Sequence, residues 1–217
     1  MTEKERPNVL IIVPAHDHRV HTRLADWIQR IEETQHICDV SHIYIEGIVP
    51  HDAARNVGVQ MARNADPKPT HVMFVDNDII PPLGALNRLV LHKKPIVAAA
   101  TLHVQYKEDG GRVYKMGWYK NDDGKFVLYE GCGLQKVDSV SAACLLVEMQ
   151  VFNIIKVPFS FLYNKDGCVN ASEEFVFSEK CTKAGFELWT DFDIECDHHR
   201  RASLLSLYKA GKDTNAK

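Results

Sequence analysis

The sequence predicts an α/β fold: a Rossmann-like, mostly parallel central sheet with helices on both faces, and a smaller antiparallel β part after it. Three observations carry this. Residues 8–13, 72–75 and 95–100 are unbroken apolar runs, as in strands buried on both faces. Stretches with apolar residues at helical spacing alternate with them, the order that builds a parallel sheet. After Thr101 the chain turns rich in Gly, Asp and Lys, with short β-like pieces around a turn signal.

The first strand, 8–13, is closed by Pro14, and 14–18 reads as a loop. Val20, Leu24, Trp27, Ile28 and Ile31 give a helix over 19–33. A strand over 40–45 follows, then a helix over 52–64 with Ala53, Ala54, Val57, Met61 and Ala65 inward. The run 72–75 is a strand ending at Asp76, and Pro81-Pro82 stops regular pairing. Leu83, Leu86, Leu89 and Val90 face inward from the next helix, and 95–100 is a fourth buried strand. Beyond it, 113–116 and 126–129 flank the hairpin signal Asn121-Asp122-Asp123-Gly124. Residues 143–147 form a further buried strand, 150–155 a short helix and 159–166 a loop with exposed aromatic character. Ser172 caps a helix that runs to Ala184 and ends at Gly185. A strand over 186–189, a polar stretch to His199, a basic helix with Leu204, Leu205 and Leu207, and a disordered tail over 211–217 complete the reading. With no repeat and no linker composition, 1–217 reads as one domain in two halves, 8–100 and 101–210.

The composition, 45% hydrophobic and 25% charged, is that of an ordinary globular protein. A formal net charge of −3 gives no general pull toward nucleic acid or an anionic membrane, so any phosphate site must be local. The apolar runs fall short of a membrane span, and the charged start 1–7 does not read as a signal peptide. Six scattered cysteines without zinc-like spacing read as reduced thiols, several of them core fillers, which places the protein in the cytoplasm.

In parallel α/β sheets ligands bind beyond the carboxyl ends of the strands, where residues 14–17 and 76–78 converge. Asp76-Asn77-Asp78 reads either as a turn that ends a strand or as a cation site. Two acids at the tip of a buried strand repel unless a hard ion such as Mn²⁺ or Mg²⁺ lies between them. Arg55, beside Asn56, is either a surface ion pair or a clamp on a phosphate or on the carboxylates. Glu173 and Glu174 open a helix, where acids favour the dipole and where one could also serve as a general base. His198-His199 is either a surface pair or the source of a nitrogen ligand, and Arg200 and Arg201 stand next to it for a diphosphate. No Gly-x-Gly-x-x-Gly and no Walker-type lysine loop is present.

In this order the pieces resemble the GT-A-fold nucleotide-sugar glycosyltransferases: a strand ending in Pro14, Ala54-Arg55-Asn56 on a helix, Asp76-Asn77-Asp78, an apolar strand over 140–147, Glu173-Glu174, Trp189 and a closing His198. The resemblance spans about residues 8 to 200, and the compact Asp-Asn-Asp-Ile-Ile-Pro-Pro form looks most like virus- or phage-encoded members, which would act in the host cytoplasm. It implies a metal-dependent hexosyltransferase moving a sugar from a nucleotide-sugar donor, with UDP-sugars favoured, to a glycan hydroxyl. The first half would then bind nucleotide and the second the acceptor. Asp78, Asp76 and His198 would hold the ion. Pro14, Ala15, His16 and Asp17 would line the nucleoside pocket, with Asn56, Asn77 and Arg200 also at the donor. Asp76 would lie near the ribose, and Arg55 would brace the carboxylates or the donor sugar. Glu174, Glu173 or Asp191 would be the base. The chain departs from the family in having Glu at both positions of the usual Glu-Asp pair, and in having only Asp39 and Glu46 near the second strand. Two other readings remain open: a phosphohydrolase with an aspartyl nucleophile at Asp76, and a sugar- or nucleotide-binding module without turnover.

Overall fold

The computed structural model describes residues 6–34, 37–107, 110–115, 117–120, 122–128 and 131–199. The expectations at Met116, Asn121, Tyr129, Arg200, Arg201, the terminal helix with Leu204, Leu205 and Leu207, and the tail 211–217 lie outside them. In chain order the first half contains β1 (Asn8–Ala15), α1 (Thr22–Thr34), β2 (Asp39–Glu46), α2 (His51–Asn64), β3 (His71–Val75), β4 (Ile79–Ile80) and α3 (Ala85–Leu91). Next come β5 (Ile96–Lys107), β6 (Gly110–Lys115), β7 (Trp118–Lys120), β8 (Phe126–Leu128) and β9 (Leu134–Val137). The last are β10 (Cys144–Glu148), α4 (Met149–Ile154), β11 (Leu162–Tyr163), β12 (Val169–Ala171), α5 (Glu173–Lys183) and β13 (Leu188–His198).

The central sheet has the order β2-β1-β3-β10-β5-β13-β4, with β6 paired to β5 and β9 to β13. β1 runs parallel to β2 and β3, and β13 parallel to β5. β10 is inserted antiparallel between β3 and β5, and β4 and β9 run antiparallel to β13. The mostly parallel sheet is therefore as expected, and both halves of the chain contribute strands to it. Alternation along β1 sends Leu10 and Ile12 to one face, packed with α2, α4 and α5. Val9, Ile11 and Val13 go to the other, packed with α1 and α3. Leu24, Trp27, Ile28 and Ile31 of α1 are buried at the expected spacing.

Several expectations need correction. Pro14 does not close β1, which continues to Ala15; β1 meets β3 only as far as Ile12, so no bond to β3 is lost at Pro14. On α2 the buried face is Ala54, Arg55, Gly58, Val59 and Ala62, whereas Val57 and Met61 are exposed. The small stripe Ala54, Gly58 and Ala62 sets the phase of the helix, because a Cβ on Gly58 would lie 2.6 Å from Ile12 Cγ2. Leu83 precedes α3 and is exposed. Of the piece expected over 113–116, residues 113–115 belong to β6 and pair with β5; the hairpin partner of β8 is β7. The loop over 159–166 contains β11, which pairs with β12. The polar stretch after Trp189 is strand, for β13 reaches His198. Ser172 occupies the N-cap of α5 without a side-chain cap bond, while Gly185, at φ 87°, ends that helix as expected.

Candidate active site

Several polar side chains at the carboxyl edge of the sheet gather around the turn after β3. Asp76 N–H donates to the Ala143 carbonyl at 3.0 Å, and Ile79 N–H closes the turn on the Asp76 carbonyl, also at 3.0 Å. Asp76 and Asp78 take different partners. Asp76 Oδ1 lies 2.9 Å from Arg55 Nη1, and Arg55 Nε lies 3.8 Å from Glu173 Oε1. Arg55 is 2% exposed, so the surface reading is excluded. Its guanidinium lies 5.7 Å from the Phe74 ring centroid and 6.0 Å from that of Phe159, a buried cation held by carboxylates and aromatic faces.

Glu174 belongs to the same group. Its Oε1 accepts the Ala142 N–H at 2.8 Å and the Ser141 hydroxyl at 3.3 Å. Burial pushes this carboxyl up to about 7, with the neighbouring Glu173 and Asp76 charges acting in the same direction. Arg55 and the Ala142 amide oppose the rise. Ser141 and Ala142 were not legible as site residues, because nothing marks the approach to a strand as a support for a distant helix start.

On the other side of the turn, His198 Nε2 lies 3.3 Å from Asp78 Oδ2. His198 Nδ1 is 2.8 Å from the Leu102 carbonyl; a carbonyl only accepts, so Nδ1 carries the proton. Among the described residues no three His, Cys, Asp or Glu side chains group as a metal cluster. The structure thus brings together Asp78 and His198, and gives Asp76 to Arg55.

A cleft of about 720 Å³ opens beside this pair. His16, Asp17, Asn77 and Asp78 of the expected donor site line it, together with Arg19, Val20, His21, Thr22 and His199. Asn77 Nδ2 donates to the Arg19 carbonyl at 2.8 Å, tying the loop after β1 to the turn after β3. His21 stacks on His199 with centroids 4.1 Å apart, and Arg23 Nη1 meets Asp197 Oδ2 at 2.9 Å. His199 was singled out in the sequence, but His21, Arg23 and these pairings were missed, since they join opposite ends of the chain.

Other expected residues go elsewhere. Pro14 and Ala15 are buried within β1. Asn56 holds the backbone of Phe159, donating to its carbonyl at 2.8 Å and accepting its N–H at 3.2 Å, so its amide is spent on a loop. Asp191 is fully buried against Arg88 and His92 on α3 and its cap, and is not brought to the Glu174 group.

No protein-family model matches the chain, and no curated protein matches it. Solved structures do. The chain is similar to A197 from STIV, at 13% identity and TM-score 0.54, over 90% of this chain and 98% of that one. It is equally similar to the catalytic domain of Drosophila β1,4-galactosyltransferase 7, solved with xylobiose, at 13% identity and TM-score 0.54, over 90% of this chain and 71% of that one. The fold is GT-A-like. A UDP-glucose pyrophosphorylase complexed with UDP-glucose matches at 9% identity and TM-score 0.45, over 97% and 81% of the two chains. Among the described residues no helix is long and apolar enough to cross a membrane.

Proposed function

We propose that this GT-A-like domain is a glycosyltransferase that moves a sugar from a nucleotide sugar, a UDP-sugar in the first instance, to a glycan hydroxyl. The observation that carries the reading is Glu174: a carboxyl at about 7, held by Ala142 and Ser141 beside the Arg55–Asp76 pair. A base with a pKa near the working pH is suited to deprotonating a hydroxyl. Glu173, drawn toward Arg55 and buried, fits an electrostatic role better. The galactosyltransferase neighbour supports the reading through the shared fold.

Asp78 and His198 fit a divalent ion, Mn²⁺ or Mg²⁺. In the neutral ring the Nδ1 proton on Leu102 leaves the Nε2 lone pair turned to the Asp78 carboxylate, an arrangement that a cation converts from repulsion to ligation. Asp78 and His198 would hold the ion from the protein side, where it would attract the donor diphosphate. When bound, the ion would stabilise negative charge on the departing diphosphate. In the transfer step Glu174 takes the acceptor hydroxyl proton. The hydroxyl oxygen bonds to the anomeric carbon while its bond to the phosphate oxygen breaks. Arg55, paired with Asp76 and close to Glu173, holds these carboxylates in place next to Glu174.

The test is sugar transfer and donor hydrolysis across a UDP-sugar panel with and without Mn²⁺. Asp78→Ala is expected to lose metal-stimulated turnover, and Glu174→Gln to lose transfer while retaining UDP binding. Unchanged transfer in both variants would sink the assignment.

A further inference from the structure

β13 does not run evenly along β5. Trp189, Thr190 and Asp191 face Val97, Ala98 and Ala99 in parallel register, and the pairing then resumes at Glu195 opposite Ala100. β5 advances one residue while β13 advances four, so Phe192, Asp193 and Ile194 form a bulge. Past it, His198 pairs with Ile79, the residue after Asp78, and His199 N–H donates to the Asp78 carbonyl at 2.8 Å. An even register would carry His198 three residues farther along β5, about 10 Å from where it now stands. The bulge decides whether His198 reaches Asp78.

The bulge is held by charge. Asp191, fully buried at its start, receives Arg88 Nε at 2.6 Å and His92 Nε2 at 2.6 Å on Oδ2. Its Oδ1 receives Arg88 Nη2 at 2.9 Å and the Asp193 N–H at 3.0 Å, an amide inside the bulge. Asp193 in turn takes Arg88 Nη2 at 3.1 Å and the Gly133 N–H at 2.8 Å, and Phe192 N–H donates to the Gly133 carbonyl at 2.9 Å. Surplus residues leave backbone groups without ladder partners, and an apolar strand could not supply those partners.

We propose that Asp191, Arg88 and His92 form a lock on the β13 bulge that aims His198 at Asp78, which makes them positioning residues for the metal-binding end of the site. Only the functional consequence rests on the metal reading. The lock gives the buried Asp191 a role distinct from proton transfer: it acts at a distance, through strand register.

The test uses Arg88→Met, Arg88→Lys as the conservative partner, and Asp193→Ala, which leaves the Arg88–Asp191 pair in place. Nuclear magnetic resonance of the metal-free protein reports the His198 Nδ1–H bonded to Leu102 and the exchange protection of the His199 amide. Calorimetry with UDP and Mn²⁺ reports metal affinity. In Arg88→Met the His199 amide is expected to lose at least tenfold in protection and Mn²⁺ to bind at least tenfold more weakly. Arg88→Lys should recover part of both, and Asp193→Ala should show a smaller loss of the same kind. If folded Arg88→Met and Asp193→Ala keep the wild-type ring signal and amide protection, the lock is wrong. If those signals move as expected but wild-type protein with UDP takes up no Mn²⁺, the lock stands and the metal reading falls.

Discussion

Glu174 opens α5 with its carboxyl under opposing influences: burial and two neighbouring acids raise its pKa, and Arg55 and the Ala142 amide lower it. If it is the base, transfer should rise with pH through a limb near 7, and Glu174→Gln should remove that limb along with the activity. Arg55→Met takes away the largest influence favouring the charged form, so residual activity should show its limb displaced above 7 in a kcat/KM profile. The sign for stability follows from the raised folded value. The contribution is fully present below the ordinary carboxyl range near 4.5 and is lost as pH rises through about 7. Glu174→Gln should therefore gain stability on wild type between pH 5 and pH 8, measured by urea midpoints at the two values. Asp191→Ala should do the reverse of a neutral change. It removes the buried acceptor of the Asp193 N–H, while Arg88, 43% exposed, stays paired to Asp193, so about 1–3 kcal/mol of stability should go with it.

At the scale of elements, α2 shows how backbone proximity puts a charge into the interior. Ala54, Gly58 and Ala62 lie against the sheet, and Gly58 leaves no room over Ile12. The same face carries Arg55, which is thereby pressed under the turn at Asp76. Gly58→Ala should push the helix off β1, with a loss of about 1–3 kcal/mol. Part of that should return in Gly58→Ala with Ile12→Ala, read as a double-mutant cycle by urea unfolding. Four of the six cysteines are buried, and burial pushes Cys181 up to about 12 and Cys38 to about 11. Thiols held so far above the reactive range act as packing, as their apolar neighbourhoods suggested.

For the molecule as a whole, the cleft lies where three chain segments meet: the loop after β1, the turn after β3 and the end of β13. A ligand that joins them stabilises only the folded state. UDP with Mn²⁺ at about 100 times its Kd should therefore add about 2.7 kcal/mol, seen as a higher Tm. In His198→Ala the increment specific to Mn²⁺ should vanish, measured against that variant's own unliganded Tm.

The apolar runs determined the strands β1, β3 and β5, and their alternation with amphipathic stretches determined the parallel sheet, because burial on both faces leaves a local mark. The turn Asp76-Asn77-Asp78 and the acidic start of α5 were legible for a similar reason, since each stands at a visible end of an element, whereas His198 lay in a stretch read only as polar and the structure put it at the end of β13. What the sequence could not determine was which of these side chains meet. The phase of α2 followed a small-residue stripe and not the larger Val57 and Met61, which decided that Arg55 is buried. β10 entered between β3 and β5, bringing Ser141 and Ala142 under Glu174. The β13 bulge, held at its start by Asp191 and Arg88, gave His198 to Asp78. Contacts between segments a hundred residues apart depend on sheet order and register, and those are set by packing across the whole core.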